Sequence, residues 1–361
     1  MPANFDLSNL ALKALAPNNE LLYDDKGLPS VMVKVPKATY ADLGLGSSTD
    51  IFPAFKVGNV TKDYIYVSKY QNIVMNGRAY SLPGEDPGNN IYGADALAAC
   101  TAKGRGWHLM TRMEWMALAL WCKKNGSMPK GNNNYGKDNA DSIYQAIPSM
   151  ARDSSNRIQR VATGTGPLSW SHDGTPSGIW DLNGNVFEWV GGIRFVKGEL
   201  QILPDNNAAD SDISQALASD AWKAVDGTDG SLITPDGNGT TTNSLKLDWT
   251  GSIWKWITGT ITDANKGSHG CTFESVDVES GLSAAAILLL QALGMYKYDT
   301  SAGAYLGDYF YHDNSQAERG LFCGGYWGGG GDAGVFYANS SVSFFSYRLD
   351  TIGFRSAFVE L

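Results

Sequence analysis

"GIWDLNGNVFEWVGG" (178–192) sets a turn-forming run, residues 181–185, directly ahead of a short apolar strand that carries one carboxylate. The chain continues as "IRFVKGELQIL" (193–203), so the whole segment reads as turn, strand, turn, strand. Glu188 stands between Phe187 and Trp189. A carboxylate held among large apolar side chains needs a counter-charge, a bound cation or a set of backbone amides. The residues themselves leave these solutions open.

Outward from that segment, composition sets the class. Gly supplies 42 of 361 residues, and the chain is 43% hydrophobic and 18% charged, with 17 Tyr and 11 Trp. Abundant Gly with little Glu and Lys favours turns and irregular connections over a helical bundle. A net charge of -9 without any Lys/Arg run argues against a nucleic-acid surface. Cys100, Cys122, Cys271 and Cys323 form no CxxC pair, and His108, His172, His269 and His312 are equally scattered. Zinc needs close ligand pairs, so buried free thiols are expected instead. "GNNNYGKD" (131–138) nearly spells a phosphate-cradling loop, but Asp138 takes the place of the magnesium-binding hydroxyl and no apolar strand precedes it. Residues 1–20 show no basic leader or cleavage site, and "LSAAAILLLQALGM" (282–295) is too short to span a bilayer. The expectation is a soluble protein made in a cytoplasm, with no membrane insertion.

The remaining punctuation gives the elements. "VMVKVP" and "DYIYVSKYQNIVM" read as strands, "GADALAACTAKG" (93–104) as a helix stopped by Gly104, and "TRMEWMALALWCKKNG" (111–126) as the best-defined helix. Thr111 and Glu114 predict a capping box there, and Asn125-Gly126 its end. Residues 127–178 read as loops. Residues 204–281, rich in Gly, Asp, Asn and Thr, are expected to insert surface loops around "SIWKWITGTIT". The predicted organisation is an N-terminal segment, 1–50, packing on or extending one domain, 51–361, with an insertion at about 204–315.

At this point the segment 178–192 resembles the signature of the formylglycine-generating-enzyme branch of the C-type lectin fold, with Phe187 in place of that motif's first Trp. "IGFRSAFVEL" (352–361) is similar to the family's closing strand, and "TRMEWMALALW" to its second helix. The resemblance implies an α+β fold with antiparallel sheets, two main helices and long loop insertions. It also implies a structural calcium ion (Ca2+) held by the side chains of Asp181 and Glu188 and the carbonyls of Gly184 and Val186, all hard oxygen donors. The family's enzymes bind copper through two neighbouring cysteines. Here Cys323 stands alone in "RGLFCGGYWGGGG", so that chemistry lacks a ligand. A copper oxidase using Cys323 is therefore the rival reading. A calcium-dependent carbohydrate-binding lectin is another, although EPN, QPD and WND are all missing.

"CGGYWGGGGDAGVFYANSS" followed by "IGFRSA" resembles the variable region of proteins diversified by retroelements, with Trp327, "AGVF" (333–336) and "IGFR" (352–355) as framework. In that family adenine-directed mutagenesis leaves codons that never specify Lys, Glu, Gln or Met. These four make up 43 of the 361 residues, yet the 39 residues from Leu321 to Val359 contain none of them. Asp332, Arg348 and Asp350 show that charge as such is tolerated there. Within a variable region of about 321–357, the implied ligand-binding positions fall in three runs. They are Tyr326, Gly328, Gly329 and Asp332; then Tyr337, Asn339, Ser341 and Ser343; then Phe344, Phe345, Tyr347, Arg348, Leu349, Asp350 and Thr351. Tyr and Phe among Gly and Ser suit a contact surface, giving large area with few rotors. The resemblance implies a binding protein and no enzyme. It points to a phage or prophage tail-tip component, a homotrimer in the virion, whose partner is a bacterial surface macromolecule, protein or glycan.

Overall fold

The structure, a computed structural model, describes residues 6–361. The strand Phe187–Val196 turns at Lys197 and Gly198, both with positive φ (46° and 85°), and returns as Glu199–Ile202 in antiparallel register. A two-residue turn with both φ values positive matches the natural twist of a hairpin. Arg319–Cys323 pairs with the other edge of Phe187–Val196, opposing Cys323 to Glu188. Ala338–Ser340, Tyr309–Asp313 and Ser268–Thr272 extend the sheet beyond it. A smaller sheet runs Asn19–Tyr23, Pro29–Pro36, Tyr64–Ser68, Ser356–Phe358, Trp107–Leu109. The N-terminal strands thus form one side of the same sheet that receives the end of the chain.

That end is where the two sheets meet. Ile352–Phe354 lies parallel to Phe187–Trp189 in the larger sheet, while Ser356–Phe358 pairs with Tyr66, Val67 and the strand Trp107–Leu109 in the smaller one. Arg355, fully buried between them, is the residue at which the chain changes sheets.

The four helices among the described residues are α1 (Leu7–Leu15), α2 (Gly93–Thr101), α3 (Arg112–Asn125) and α4 (Ala284–Ala292). The capping box of α3 is present as read from the sequence, and Gly126 closes the helix in the left-handed region at φ 66°. Because α3 runs through the main core, it buries residues on every side, polar ones included. Arg112 donates to the carbonyls of Leu293 and Gly294, and Trp115 Nε1 donates to Val335 O at 2.8 Å. The helix therefore supports the C-terminal region from beneath. The α+β class, with antiparallel sheets and two main helices in the N-terminal half, is the one observed. No helix among the described residues is long and apolar enough to cross a membrane.

One expectation fails. Residues 204–281 are not merely surface loops: Lys246–Trp249 and Trp254–Ile257 add strands to the larger sheet, and Trp254, Trp256 and Phe273 are wholly or almost wholly buried in the main core. The polar turn residues belong to the connections. The tryptophans alternate inward on strands too short to show a period in sequence.

Candidate functional site: a buried cradle and an aromatic face

Glu188 has a counter-charge. Arg355 Nε donates to Oε2 at 2.9 Å and Nη2 to Oε1 at 2.8 Å, a bidentate pair in which both side chains are buried. The guanidinium also donates to Ser68 O and Trp180 O, so it ties both sheets to the loop ahead of Phe187. A second donor enters from the smaller sheet's side. Gln71 Nε2 lies 3.0 Å from Glu188 Oε1 and 3.0–3.3 Å from the carbonyl oxygens of Asp181, Gly184 and Val186. Asn185 Nδ2 holds the amide in place by donating to Gln71 Oε1 at 2.9 Å.

The four residues read as calcium ligands therefore do converge, but around an amide nitrogen. Both Glu188 oxygens already face a guanidinium, and a divalent cation there would meet that positive charge as well as the Gln71 amide. Asp181 offers its backbone oxygen; of its carboxylate, Oδ2 accepts from Gly164 N at 3.0 Å, and Oδ1 is buried without a hydrogen-bond partner among the described residues. Burial pushes the Asp181 carboxyl up to about 6. This donor set, as arranged, does not fit calcium. Gln71 carried no signal in sequence, because it reaches the cradle only through the fold.

The C-terminal positions separate into exposed or half-buried ones and buried ones. Asp332, Arg348, Leu349 and Asp350 are exposed, and Tyr326, Gly328, Gly329, Asn339, Ser341, Ser343, Phe345, Tyr347 and Thr351 are half-buried. Tyr337 and Phe344 are buried, contrary to the expectation of an accessible face. Phe344 packs edge-on against Trp189, with ring centroids 5.5 Å apart, and over Gly93 at the start of α2, where a Cβ would run into its ring. Tyr337 stacks on Phe187 at 5.2 Å. These two rings are large enough to fill space between elements, which local sequence does not disclose.

Framework groups hold the loops from below. Trp327, Val335, Phe336, Phe354 and Arg355 are buried. Asp308 Oδ2 accepts from Phe336 N at 2.7 Å, and burial pushes that carboxyl up to about 7. Glu318 accepts from Ser343 Oγ and Phe344 N, fixing the base of the last run. Arg348 lies over the Tyr92 ring at 4.6 Å. Cys323 is fully buried and accepts from Arg112 Nη1, and burial pushes its thiol up to about 11. All four cysteines are free and buried.

Above this framework an open groove of about 400 Å³ is lined by Tyr326, Gly328, Gly329, Asp332, Tyr337 and Asn339. Three residues from outside the C-terminal region complete it: Phe187, Tyr309 and Tyr311. Sequence reading missed them, although the alternation in "YFYHD" (309–313) was a usable signal. A more enclosed cavity of about 340 Å³, between Pro36 and Trp121 of α3, shares none of these residues.

No protein-family model matches the chain, and no curated protein matches it. Among solved structures it is similar to PvdO from Pseudomonas aeruginosa, with 14% identity over 94% of this chain and 98% of that one, at a TM-score of 0.38. It is also similar to the U1 variant of the Major Tropism Determinant, with 10% identity over 94% of this chain and 71% of that one, at a TM-score of 0.31.

Proposed function

We propose that this chain is a binding protein whose C-terminal face is diversified to recognise a bacterial surface macromolecule, and that it serves as a receptor-binding component of a phage tail. The observation that carries the reading is the absence of Lys, Glu, Gln and Met from Leu321 to Val359, in a segment that nevertheless exposes Asp332, Arg348, Leu349 and Asp350. Composition is restricted there while charge and exposure are not, which is the pattern of a constrained codon set.

The partition of side chains supports the same reading. The side chains of Asp332, Arg348, Leu349 and Asp350 are exposed, whereas Trp327, Phe336 and Arg355 are buried beneath the loops. A copper oxidase has less support, since Cys323 is buried against Arg112 with no cysteine partner. Homotrimerisation and residence in the virion belong to this proposal as well.

The test is an Arg348→Ser/Leu349→Asn/Asp350→Asn variant, melted and then assayed for adsorption to a panel of bacterial strains. Stability should stay within about 1 kcal/mol of the parent while the set of strains bound changes. An unfolded variant, or a folded one with an unaltered binding pattern, would overturn the proposal.

A further inference from the structure

The groove above the framework has a composition that points to a ligand class. Tyr309 and Tyr311 alternate along their strand with Phe310 and His312, which are fully buried on the other face. Register carries the outward face across the sheet: Tyr311 opposes Asn339, Asn339 opposes Phe322, and Phe322 opposes Trp189. Residues directly opposed in a sheet point to the same face. Phe187, two residues before Trp189, therefore shares that face with the tyrosines, and its ring stacks at 29° on Tyr337 and lies 5.0 Å from Tyr326. The rings make a platform rather than an enclosing cage.

Gly270 is what lets two of them lie down. It sits on the neighbouring strand opposite Tyr311, and a Cβ there would run into both the Tyr309 and Tyr311 rings. On the polar side, Tyr309, Tyr311 and Tyr326 form no side-chain hydrogen bond with any described residue, and neither does the Asp332 carboxylate. Asp332 is the groove's single charge, and no Lys, Arg or His lines it.

We propose that this groove binds a neutral saccharide, resting on the reading of the C-terminal face as a binding surface. Pyranose rings present a flat C–H face that packs on aromatic rings, and vicinal hydroxyls that donate in pairs to a carboxylate. The platform supplies the first surface, Asp332 the second, and three unengaged phenol hydroxyls supply further partners. An anionic ligand would meet only negative charge. A Lys or Arg side chain would use Asp332 and a ring face, but it carries no hydrogen-bond acceptor for the three phenol O–H groups. At about 400 Å³ the groove falls within the size of small-ligand sites, roughly 300–1,000 Å³. Phe187, Tyr309 and Tyr311 lie outside the diversified region, so they form a constant wall for the sugar ring, and the diversified wall reads its substituents.

Saturation-transfer NMR on the full chain, with glucose, galactose, mannose and N-acetylglucosamine at millimolar concentration, tests this. A short Lys/Arg peptide serves as the competing probe. Transfer to the C–H protons of at least one sugar is expected. Binding should weaken about tenfold or more in Asp332→Asn, which is exposed and should melt like the parent, and likewise in Gly270→Ala, which displaces the rings without deleting them. No transfer from any sugar, transfer unchanged in Asp332→Asn, or binding of the peptide alone would overturn the saccharide. Those results together with altered strain binding by the Arg348/Leu349/Asp350 variant would leave the binding-surface reading standing. Unaltered strain binding would remove that reading separately.

Discussion

Replacing Asp308 by Asn should stabilise this protein above neutral pH and change little near pH 4. The carboxyl is almost fully buried, takes amide hydrogen bonds from the AGVF loop at Phe336, and sits where a Cβ on Gly334 would have to be. Burial outweighs those hydrogen bonds and raises the group from the ordinary 3.8 to about 7. Between those values the unfolded chain has lost the proton while the folded one keeps it. Stability therefore falls as pH rises through that window, by about 1.4 kcal/mol per pH unit, on the order of 4 kcal/mol in all, and levels off above about 7. Asn keeps an oxygen for the Phe336 amide and carries no charge to bury. Urea denaturation of parent and Asp308→Asn at pH 4, 5.5, 7 and 8 should show midpoints that coincide at pH 4 and diverge upward, the variant ahead. Other titrating groups cancel in that difference. Parallel curves for the two proteins, or a variant that is weaker at pH 8, would refute the argument.

Arg355→Met should cost about 3–5 kcal/mol, because it leaves the Glu188 carboxylate buried with Gln71 as its remaining polar side-chain partner; a loss under 1 kcal/mol in urea titration would contradict the pairing. With an amide at the centre of the cradle, a chelator should leave the melting temperature unchanged, and a chelator-sensitive melt would restore the calcium expectation. Phe344→Ala should destabilise by about 3–5 kcal/mol, since it opens a cavity against Trp189 and α2, whereas Arg348→Ala should stay within about 0.5 kcal/mol. Equal effects on stability from these two substitutions would erase the line drawn between framework and contact residues.

Features with a local cause were legible from the residues. Thr111 and Glu114 cap α3, Gly126 ends it, and Lys197-Gly198 turns the central hairpin, each through interactions within a few positions. The absence of Lys, Glu, Gln and Met from Leu321 to Val359 was equally plain, because composition is read directly along the chain. The need of Glu188 for a partner could be stated, since burying a charge is costly in any fold.

Which partner it found was settled elsewhere. Arg355 and Gln71 reach Glu188 from positions 167 and 117 residues away, and the family motif suggested a metal where the fold supplies an amide and a guanidinium. Phe344 and Tyr337 look like contact residues in sequence, yet Gly93 and Phe187 give them somewhere to pack. Tyr309 and Tyr311 entered the groove only because Tyr309–Asp313 pairs with Ala338–Ser340. Capping, turns and composition act over a few residues and can be read in order. Sheet register joins segments over a hundred residues apart through identical backbone hydrogen bonds, so side chains that share a face carry no common local pattern, and only the assembled sheet brings them together.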